Sequence, residues 1–360
     1  MRILHVGNGN EKHRGLRFYD VGRKINNGLI RNGHNVLFFS DRDVARSSNI
    51  WGSSRSAKGM RIANARLIET AEHFKPEFLL FGHADIITSE TVKTIRAMFP
   101  AAPCGQFNVD PMFIDSTIRN IARKLDVVDA TFVTTGGPIL RKASRPGHRA
   151  YYMPNPIDGS IETHRCHERT DQPYDLFYAV RATTTKGDYR GNYRLELPRQ
   201  LRQAIPEMKC HFYGFDGAPE IFGTNFYSAL GQCKMGLNLS HIQTTQKGAI
   251  RLATTEERHL YSSDRISQYL GDGLLTFTMA GNALDVLFSD DEIVTFADAE
   301  DLEKKLRHFL HNDSERQRVA ANGWRKAHSL HNECMVAQYI VEATTGAGLS
   351  VDYAWPTEAF

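Results

Sequence analysis

Short apolar runs alternate with helical patterns along this chain, and this alternation constrains the fold more than any other feature. In the first half the apolar runs are residues 3–6, 36–39, 78–81, 104–109, 130–134 and 151–153. A repeat of strand and helix builds a parallel sheet whose faces are covered by helices. The first crossover helix is expected within residues 16–32, where apolar residues recur at a helical period and Gly33 follows.

The same alternation restarts after a polar stretch at residues 159–173, which has neither period and predicts an interdomain linker. The later strand-like runs are 176–180, 210–215, 235–239 and 274–277, and the best-marked helices are 299–311 and 314–328. Two Rossmann-like domains and a tail are therefore predicted. Their bounds are 1–165 for the N-terminal domain, 166–345 for the C-terminal domain and 346–360 for the tail. The tail carries Tyr353, Trp355 and Phe360, so it is expected to dock.

The composition excludes several classes of protein. The 360 residues carry 44 Lys and Arg against 41 Asp and Glu, and the net charge of +3 is too small to indicate nucleic acid as the main partner. Five cysteines without a CxxC pair indicate neither a disulfide framework nor a zinc site. No apolar run is long enough to cross a bilayer. A cytoplasmic protein is expected, and its charge permits peripheral contact with the inner face of an anionic membrane.

Three cations indicate a diphosphate site in the predicted C-terminal domain. Arg181 directly follows the strand-like run 176–180, and Lys186 lies five residues later. Arg265 opens an amphipathic segment that ends at Gly273. Ligands bind α/β sheets outside the carboxyl ends of strands, where cations can neutralise a leaving diphosphate. For Arg181 and Lys186 the alternative is a pair of solvated surface cations.

The spacing of Arg181 and Lys186 resembles the Gly-Arg-x4-Lys-Gly signature of retaining GT-B glycosyltransferases, with Val180 in the place of the glycine before the arginine. From Lys234 onward, the stretches KMGLNLS, RISQYLGDGLLTFT and NDSERQRVAANG resemble the C-terminal domain of CgeB-like glycosyltransferases. That family has an arginine followed three residues later by glutamate and eight residues later by glycine. Arg265 and Gly273 match this pattern, whereas Gln268 stands in the place of the glutamate.

The resemblance implies a GT-B fold, in which two Rossmann-like domains with parallel sheets face a cleft. It implies that the C-terminal domain binds a nucleotide sugar and the N-terminal domain an acceptor, either a glycan or a lipid-linked sugar of bacterial surface glycan synthesis. The implied activity is a hexosyltransferase-like reaction of class EC 2.4. Since no DxD-like pair precedes the donor site, no metal or cofactor is expected. Gln268 is expected to orient the ribose or the sugar by hydrogen bonds.

Three further residues are candidates for contact with the donor. Asn238 follows a predicted core strand, and Gly214 ends another strand, where a nucleobase could approach the backbone. Gly7 begins a glycine-rich turn after the first strand, whose amides could approach a phosphate. The alternatives are that Asn238 caps the following turn and that Gly214 serves a tight turn.

Two strand ends carry candidates for the general base that deprotonates an acceptor hydroxyl. Asp110 is the first choice and His83 the second, since each follows a predicted strand of the N-terminal domain. The alternative for Asp110 is an Asx or helix-capping role beside Pro111. The alternative for His83 is a half-buried, hydrogen-bonded histidine without a catalytic role.

The sequence leaves the stereochemistry and two other functions open. The Arg-x4-Lys resemblance favours retention of the anomeric configuration, whereas a base at Asp110 favours inversion. One other function is a GT-B-type sugar-nucleotide epimerase or hydrolase, which would consume the donor without an acceptor. The other is a catalytically silent glycan-binding scaffold, and Gln268 is the main support for it.

Overall fold

A computed structural model describes residues 1–17, 20–48, 53–181, 193–240, 242–246 and 249–360. The chain divides into two compact units. The first unit comprises residues 1–156, 242–261 and 331–360, and the second comprises residues 157–241 and 262–330. No helix within the described ranges has the length and apolar content needed to cross a membrane.

The first unit is built on a six-stranded parallel sheet with the order β2-β1-β3-β4-β5-β6. The strands are β1 (Arg2–Gly7), β2 (Asn35–Ser40), β3 (Phe78–Gly82), β4 (Cys104–Asn108), β5 (Ala130–Val133) and β6 (Arg149–Tyr152). The helices are α1 (Val21–Arg31), α2 (Asp41–Ser47), α3 (Ala57–Phe74), α4 (Ser89–Met98) and α5 (Asp115–Ala122). The predicted alternation of strand and helix is confirmed here.

The second unit contains a five-stranded parallel sheet with the order β13-β12-β9-β7-β8. From residue 174 to residue 238 the elements are β7 (Tyr174–Ala179), α6 (Tyr193–Ala204), β8 (Cys210–Tyr213), α7 (Gly223–Leu230) and β9 (Cys233–Asn238). A hairpin of β10 (Gln243–Gln246) and β11 (Ala249–Leu252) follows and belongs to the first unit. The chain continues with α8 (Arg265–Gly271), β12 (Leu275–Met279), β13 (Val294–Phe296), α9 (Ala299–His311), α10 (Asp313–Leu330) and α11 (Glu333–Thr345).

Each sheet is the centre of a hydrophobic core. In the first unit, Leu4 and Val6 of β1 pack with Leu67 of α3 and are fully buried. In the second unit, Leu237 of β9 and Phe277 of β12 are likewise fully buried in the core. Strands covered on both faces need continuous apolar runs, which is the pattern the sequence shows.

Helix α11 belongs to the first unit, although the predicted C-terminal domain 166–345 includes it. The reason is its close approach to α1 at Gly28, where an added Cβ would lie 2.0 Å from the backbone oxygen of Glu333. Arg31 also forms an ion pair with Glu333, and Asn32 Nδ2 donates to the Cys334 carbonyl at 2.9 Å. The helical period of α11 indicates a helix, but it does not indicate the sheet that the helix packs against.

The polar stretch 159–173 is packed in the second unit rather than forming a linker at the predicted 165/166 boundary. Cys166 is fully buried, and Gln172 Nε2 donates to the Cys166 carbonyl at 2.7 Å. His164 Nδ1 lies 3.0 Å from Asp272 Oδ1. Several polar side chains of this segment therefore make hydrogen bonds inside the second unit, and composition alone could not distinguish that from exposure to solvent.

The C-terminal tail docks on the first unit. Trp355 is buried, and its ring centroid lies 5.5 Å from that of Tyr339 on α11 and 4.9 Å from that of Tyr353. Phe360 exchanges two backbone hydrogen bonds with Ala150 of β6, at 2.9 and 3.0 Å. The tail thus extends the edge of the first sheet.

Candidate active site

The strand order of the first unit reverses between β1 and β3, and such a switch point is the usual ligand position in an open α/β sheet. A cavity of about 250 Å³ lies there, at the carboxyl ends of the strands. The residues lining this β1/β3 cavity are His5, Gly7, Asn8, Asp20, Val21, Gly22, Phe38, Arg42, Gly82, His83, Phe107, Val109 and Asp110. Three of the residues singled out from sequence, Gly7, His83 and Asp110, therefore meet in one cavity.

His83 follows β3 in a strained backbone conformation. Its φ is +57°, and that of Ala84 is +35°, a region that residues with a side chain rarely adopt. The Ala84 N–H donates to the Gly82 carbonyl at 2.6 Å, which closes a tight γ-turn around His83. The His83 N–H donates to the Phe107 carbonyl at 3.0 Å. Strain of this kind persists where the surrounding structure enforces it, and here it fixes the position of the imidazole in the cavity.

The His83 imidazole lies between two groups that follow β4. Its Nε2 is 3.5 Å from the Val109 N–H, and its Nδ1 is 3.7 Å from Asp110 Oδ2. The side chains of His83 and Asp110 are 30% and 60% exposed, so both can reach a ligand. Burial lowers the pKa of His83, the Asp110 carboxylate partly opposes this shift, and the Arg42 guanidinium adds to it. His83 is therefore neutral near pH 7 and able to accept a proton.

The Asx turn, which was the alternative role for Asp110, is made by Asn108. Asn108 Oδ1 accepts from the Asp110 N–H at 2.9 Å, and α5 begins later, after Ile114. The Asp110 carboxylate instead lies beside His83. This arrangement removes the main structural explanation for the aspartate at this position.

Arg42 contributes a cation to the wall of the β1/β3 cavity, but its charge is already paired. Its Nε and Nη2 donate to Asp85 Oδ1 at 2.9 and 2.7 Å, and Arg55 Nη2 donates to Asp85 Oδ2 at 2.9 Å. The Asp85 side chain is only 7% exposed. These arginines lower the pKa of Asp85 against the opposing effect of burial. Asp85 thus holds Arg42 in place.

The glycine-rich turn after β1 is fixed by side chains at the end of β2 and the start of α2. The Gly9 N–H donates to Ser40 Oγ at 2.8 Å, and the Glu11 N–H donates to Asp43 Oδ2 at 3.1 Å. Amides that already have these acceptors are poorly placed to bind a phosphate, which differs from the predicted role of this turn. Gly7 lines the cavity, and an added Cβ there would meet its nearest atom at an ordinary 3.5 Å.

The second unit has its own switch point, between β7 and β9, and Arg265 bridges it. Arg265 Nη1 donates to the Ala179 carbonyl and Nη2 to the Leu239 carbonyl, both at 2.7 Å. Its Nε is 3.2 Å from Ser263 Oγ. Only 8% of the residue is exposed. The prediction was a cation facing a diphosphate, whereas the guanidinium serves two backbone carbonyls and fixes the ends of the two central strands.

Asn238 organises the loop that precedes α8. Its Nδ2 donates to Ser262 Oγ at 2.8 Å, and its Oδ1 accepts from Ser263 Oγ at 2.8 Å. The Ser263 N–H donates to Ser240 Oγ at 2.9 Å. Asn238 is fully buried, so it holds the loop at the strand end through these hydrogen bonds from inside the unit. Among these residues, Ser240 and Ser263 lie nearer the solvent side of the network than Asn238.

Two other predicted donor residues, Arg181 and Gly214, have different surroundings. Arg181 follows β7, 3.5 Å from Glu220 and with its guanidinium 4.9 Å from the Phe222 ring centroid. Gly214 has a φ of +84°, and an added Cβ would lie 1.6 Å from the Val180 carbonyl oxygen. This geometry favours a tight turn over contact with a nucleobase as the reason for the glycine at position 214.

Two further predicted donor residues remain. Gln268 lies on α8 and is half-buried, and Lys186 lies outside the described residues.

The described residues contain no group of three or more His, Cys, Asp or Glu side chains that could hold a metal ion. The five cysteines are free thiols. Three of them, Cys104, Cys166 and Cys233, are buried, and burial raises the pKa of each thiol. Buried thiols of this kind are unreactive packing residues.

Sequence reasoning missed several residues of these two switch points. The β1/β3 cavity includes His5 of β1, Arg42 of α2 and Asp20, the N-cap of α1. The second switch point depends on Ser262 and Ser263. One of these had a usable signal, because a histidine inside the otherwise apolar run Ile-Leu-His-Val is unusual in a strand buried on both faces.

Comparison with known proteins agrees with this architecture. A family model described as glycosyl transferase-like matches residues 194–342, which is less than half of the chain. No curated protein matches the chain in sequence. A solved structure of HepE from Anabaena with UDP and glucose is similar, with a TM-score of 0.57 and 12% identity over 97% of this chain and 100% of that one.

Two other solved structures show the same similarity. The sucrose-phosphate synthase of Thermosynechococcus elongatus has a TM-score of 0.57 and 8% identity, over 96% of this chain and 99% of that one. A UDP-forming α,α-trehalose-phosphate synthase from Burkholderia xenovorans has a TM-score of 0.56 and 11% identity, over 96% and 98%. Identities this low establish the fold and not the activity. The chain therefore has the GT-B fold, with two parallel α/β sheets.

Proposed function

We propose that this protein is a glycosyltransferase that moves a sugar from a nucleotide sugar to a carbohydrate or lipid-linked acceptor. One observation carries the proposal: within a GT-B fold, the β1/β3 cavity of the first unit holds a neutral histidine, His83, beside a carboxylate, Asp110. The match of residues 194–342 to a glycosyl transferase-like family supports it independently.

In the proposed reaction, the acceptor hydroxyl oxygen forms a bond to the anomeric carbon of the donor. The bond from that carbon to the diphosphate breaks, and its electron pair leaves with the nucleoside diphosphate. His83 takes the hydroxyl proton, and Asp110 stabilises the resulting imidazolium by its charge. The Val109 N–H lies 3.5 Å from Nε2, longer than an ordinary hydrogen bond, so an acceptor hydroxyl can take its place and give its proton to Nε2. Nδ1 then keeps its proton and stays beside Asp110, at 3.7 Å.

The donor is assigned to the second unit. The HepE structures contain UDP or UDP-glucose, so a uridine nucleotide is the first donor class to test here. Arg181 supplies a cation at the end of β7, and the sequence spacing adds Lys186 as a second cation for the diphosphate. Arg265 acts indirectly in this proposal, because its hydrogen bonds hold the strand ends that carry the site. Gln268 and Ser263 then contact the ribose or the sugar.

Two finer assignments rest on the sequence resemblance: a CgeB-like subfamily and a role in bacterial surface glycan synthesis. Metal-independent transfer rests on the lack of a DxD-like pair before the donor site in the sequence, and a cytoplasmic location with peripheral contact at the inner membrane face rests on the cysteines and the net charge. A base at His83 or Asp110 favours inversion of the anomeric configuration through a single displacement. NMR of the product tests this expectation directly, since a retained configuration would contradict a single displacement assisted by either residue.

Calorimetry with a panel of nucleotide sugars and free nucleotides tests the proposal. We expect binding of at least one nucleotide sugar, with UDP as the first nucleotide tried. Release of free sugar in the presence of donor alone would identify a hydrolase, and a changed sugar configuration in the donor would identify an epimerase. Absence of heat with every member of the panel would contradict the glycosyltransferase proposal.

A further inference from the structure

A second histidine occupies the β1/β3 cavity and has no role in the reaction described above. His5 lies in the middle of β1, is fully buried, and forms part of the cavity lining. Its Nδ1 is 3.1 Å from Oδ1 of Asn26 on α1. Its Nε2 has no hydrogen-bond partner among the residues that the structure describes.

The contact with Asn26 determines which nitrogen of His5 carries the proton. An amide oxygen accepts hydrogen bonds, so Nδ1 is the N–H donor and Nε2 presents a lone pair. Burial lowers the pKa of His5 to about 4, and the ring is therefore neutral. A buried acceptor without a donor has lost its hydrogen bond to water without a replacement. A ligand hydroxyl that donates to Nε2 would supply that replacement.

The surroundings of His5 favour an uncharged ligand with an apolar face. Phe38 and Phe107 lie edge-on or tilted to the imidazole, with centroids 5.1 and 5.8 Å away, and both also line the cavity. The ionised groups facing the cavity are the carboxylates of Asp20 and Asp110 and the Arg42 guanidinium, which Asp85 already pairs. This balance disfavours a phosphate or carboxylate on the ligand.

The sizes of the β1/β3 cavity and of a neighbouring cavity indicate a ligand with one small unit in each. A second cavity of about 380 Å³ shares Asn8, Asp20 and Phe38 with the β1/β3 cavity. Drug-sized ligands occupy cavities of about 300–1,000 Å³, so the 250 Å³ cavity suits a single sugar ring. The second cavity has room for a further unit attached to that ring.

We propose that His5 Nε2 accepts a hydrogen bond from a hydroxyl of an uncharged sugar ring in the β1/β3 cavity, and that His5 thereby determines acceptor specificity. The assignment of this sugar as the acceptor rests on the proposed function, whereas its binding does not. His5 is a specificity residue in this proposal, since the proton acceptor is His83.

Saturation-transfer NMR and calorimetry on the full chain test the proposal. The probes are glucose, galactose, mannose and N-acetylglucosamine, together with glucose 6-phosphate and glucuronic acid. We expect at least one neutral sugar to bind more tightly than both anionic ones. His5→Phe, which removes the acceptor but keeps a ring, is expected to weaken that binding about fivefold to 150-fold, as the loss of about 1–3 kcal/mol requires.

His148 provides the matched control. It is also a buried histidine of the first unit, but its nitrogens contact the Val128 carbonyl and Thr131 Oγ1, at 3.1 and 2.9 Å, and it does not line the cavity. His148→Phe is expected to lower stability without weakening sugar binding in the folded fraction. Deoxy analogues of the bound sugar, tested on the unchanged protein, do not depend on the folding of any variant. One analogue is expected to bind as weakly to the unchanged protein as the parent sugar binds to His5→Phe.

A parallel titration with UDP separates this proposal from the proposed function. If UDP binds but no neutral sugar does, or if His5→Phe binds sugar as the unchanged protein does, the His5 proposal is overturned and the glycosyltransferase proposal stands. Tighter binding of the anionic sugars would also overturn it. If the neutral sugar binds through His5 and neither UDP nor another nucleotide binds, the His5 proposal stands and the glycosyltransferase proposal fails.

Discussion

The two units use the same central strand order but differ in what fills the switch point. In the first unit, the order β2-β1-β3-β4-β5 leaves an open cavity lined by His5, His83 and Asp110. In the second unit, the equivalent order β8-β7-β9-β12-β13 has Arg265 bonded to carbonyls of both central strand ends. The strand order thus marks the position of a site, while the residues after each strand decide its chemistry. In the proposed reaction the first site transfers a proton, and the second, whose strand ends Arg265 fixes, holds the diphosphate of the donor.

The largest expected effect concerns catalysis in the first unit. His83→Asn removes the proposed proton acceptor, and general base catalysis contributes about 10²–10⁴-fold to a rate. Transfer to the acceptor is expected to fall by that factor while the Kd for the donor stays unchanged. Lys93→Met, which changes an exposed ion pair with Glu90, is the control and should leave both quantities unaltered. Full activity of His83→Asn would contradict the role of His83 as the proton acceptor, and with it the proposed difference between the two switch points.

The next effect concerns the strand ends that Arg265 holds together in the second unit. Arg265→Met removes three hydrogen bonds and leaves two carbonyls without their donors, so we expect a loss of about 3–5 kcal/mol in the free energy of unfolding. Urea denaturation measures this loss. Arg318→Met, at an arginine 52% exposed and paired with Asp291, should change it by less than about 0.5 kcal/mol. Unchanged stability of Arg265→Met with weakened UDP binding would restore the original prediction of a direct diphosphate ligand.

Gly214 distinguishes a structural turn from a nucleotide contact. Gly214→Ala places a Cβ where the Val180 carbonyl lies, at a φ of +84°, and is expected to cost about 3 kcal/mol of unfolding free energy. Gly217 is the matched control, because its φ is +81° and nothing lies within 4 Å of an added Cβ among the described residues. Gly217→Ala should cost only about 1 kcal/mol, the conformational part. Equal losses in the two variants would contradict the steric argument.

The smallest expected effect is a pH dependence of stability in the first unit. Burial lowers the pKa of His5 from its ordinary 6.5 to about 4, so between these values the unfolded chain binds more protons than the folded one. The neutral His5 therefore contributes to the free energy of unfolding. This contribution, about 3 kcal/mol in total, is complete above pH 6.5 and is lost as the pH falls toward 4. Urea denaturation at pH 7.5 and 5.0 should show a smaller decrease in His5→Phe than in the unchanged protein. An identical decrease would mean that the imidazole is not held neutral by burial.

Much of the fold could be predicted from the sequence, because periodicity reports local structure directly. The period placed α9 at 299–311, which is where the helix lies, and the apolar runs marked β3 and β12 closely. The hairpin of β10 and β11 was not predicted, and neither was the return of α11 to the first unit. Both depend on packing between distant parts of the chain, such as the contact of Gly28 with Glu333, that no local pattern encodes.

The candidate sites were predictable to a smaller extent. Strand ends gave His83 and Asp110, since polar residues after parallel strands meet at one edge of a sheet. Arg265 was recognised as a cation near a switch point, but its hydrogen bonds to the carbonyls of Ala179 and Leu239 were not predicted. Sequence cannot distinguish these cases, because a guanidinium donates hydrogen bonds to carbonyl oxygens as well as to phosphates. The mid-strand position of His5 was visible in the sequence and was not used.

Hydrogen exchange measured by mass spectrometry, with and without UDP-glucose, tests the division of roles between the two switch points most directly. We expect the donor to slow exchange in peptides containing residues 238–240 and 262–268 of the second unit. Peptides containing residues 3–7 of β1 should change less. Slowed exchange around β1 with none at residues 238–240 and 262–268 would contradict the assignment of donor binding to the second unit.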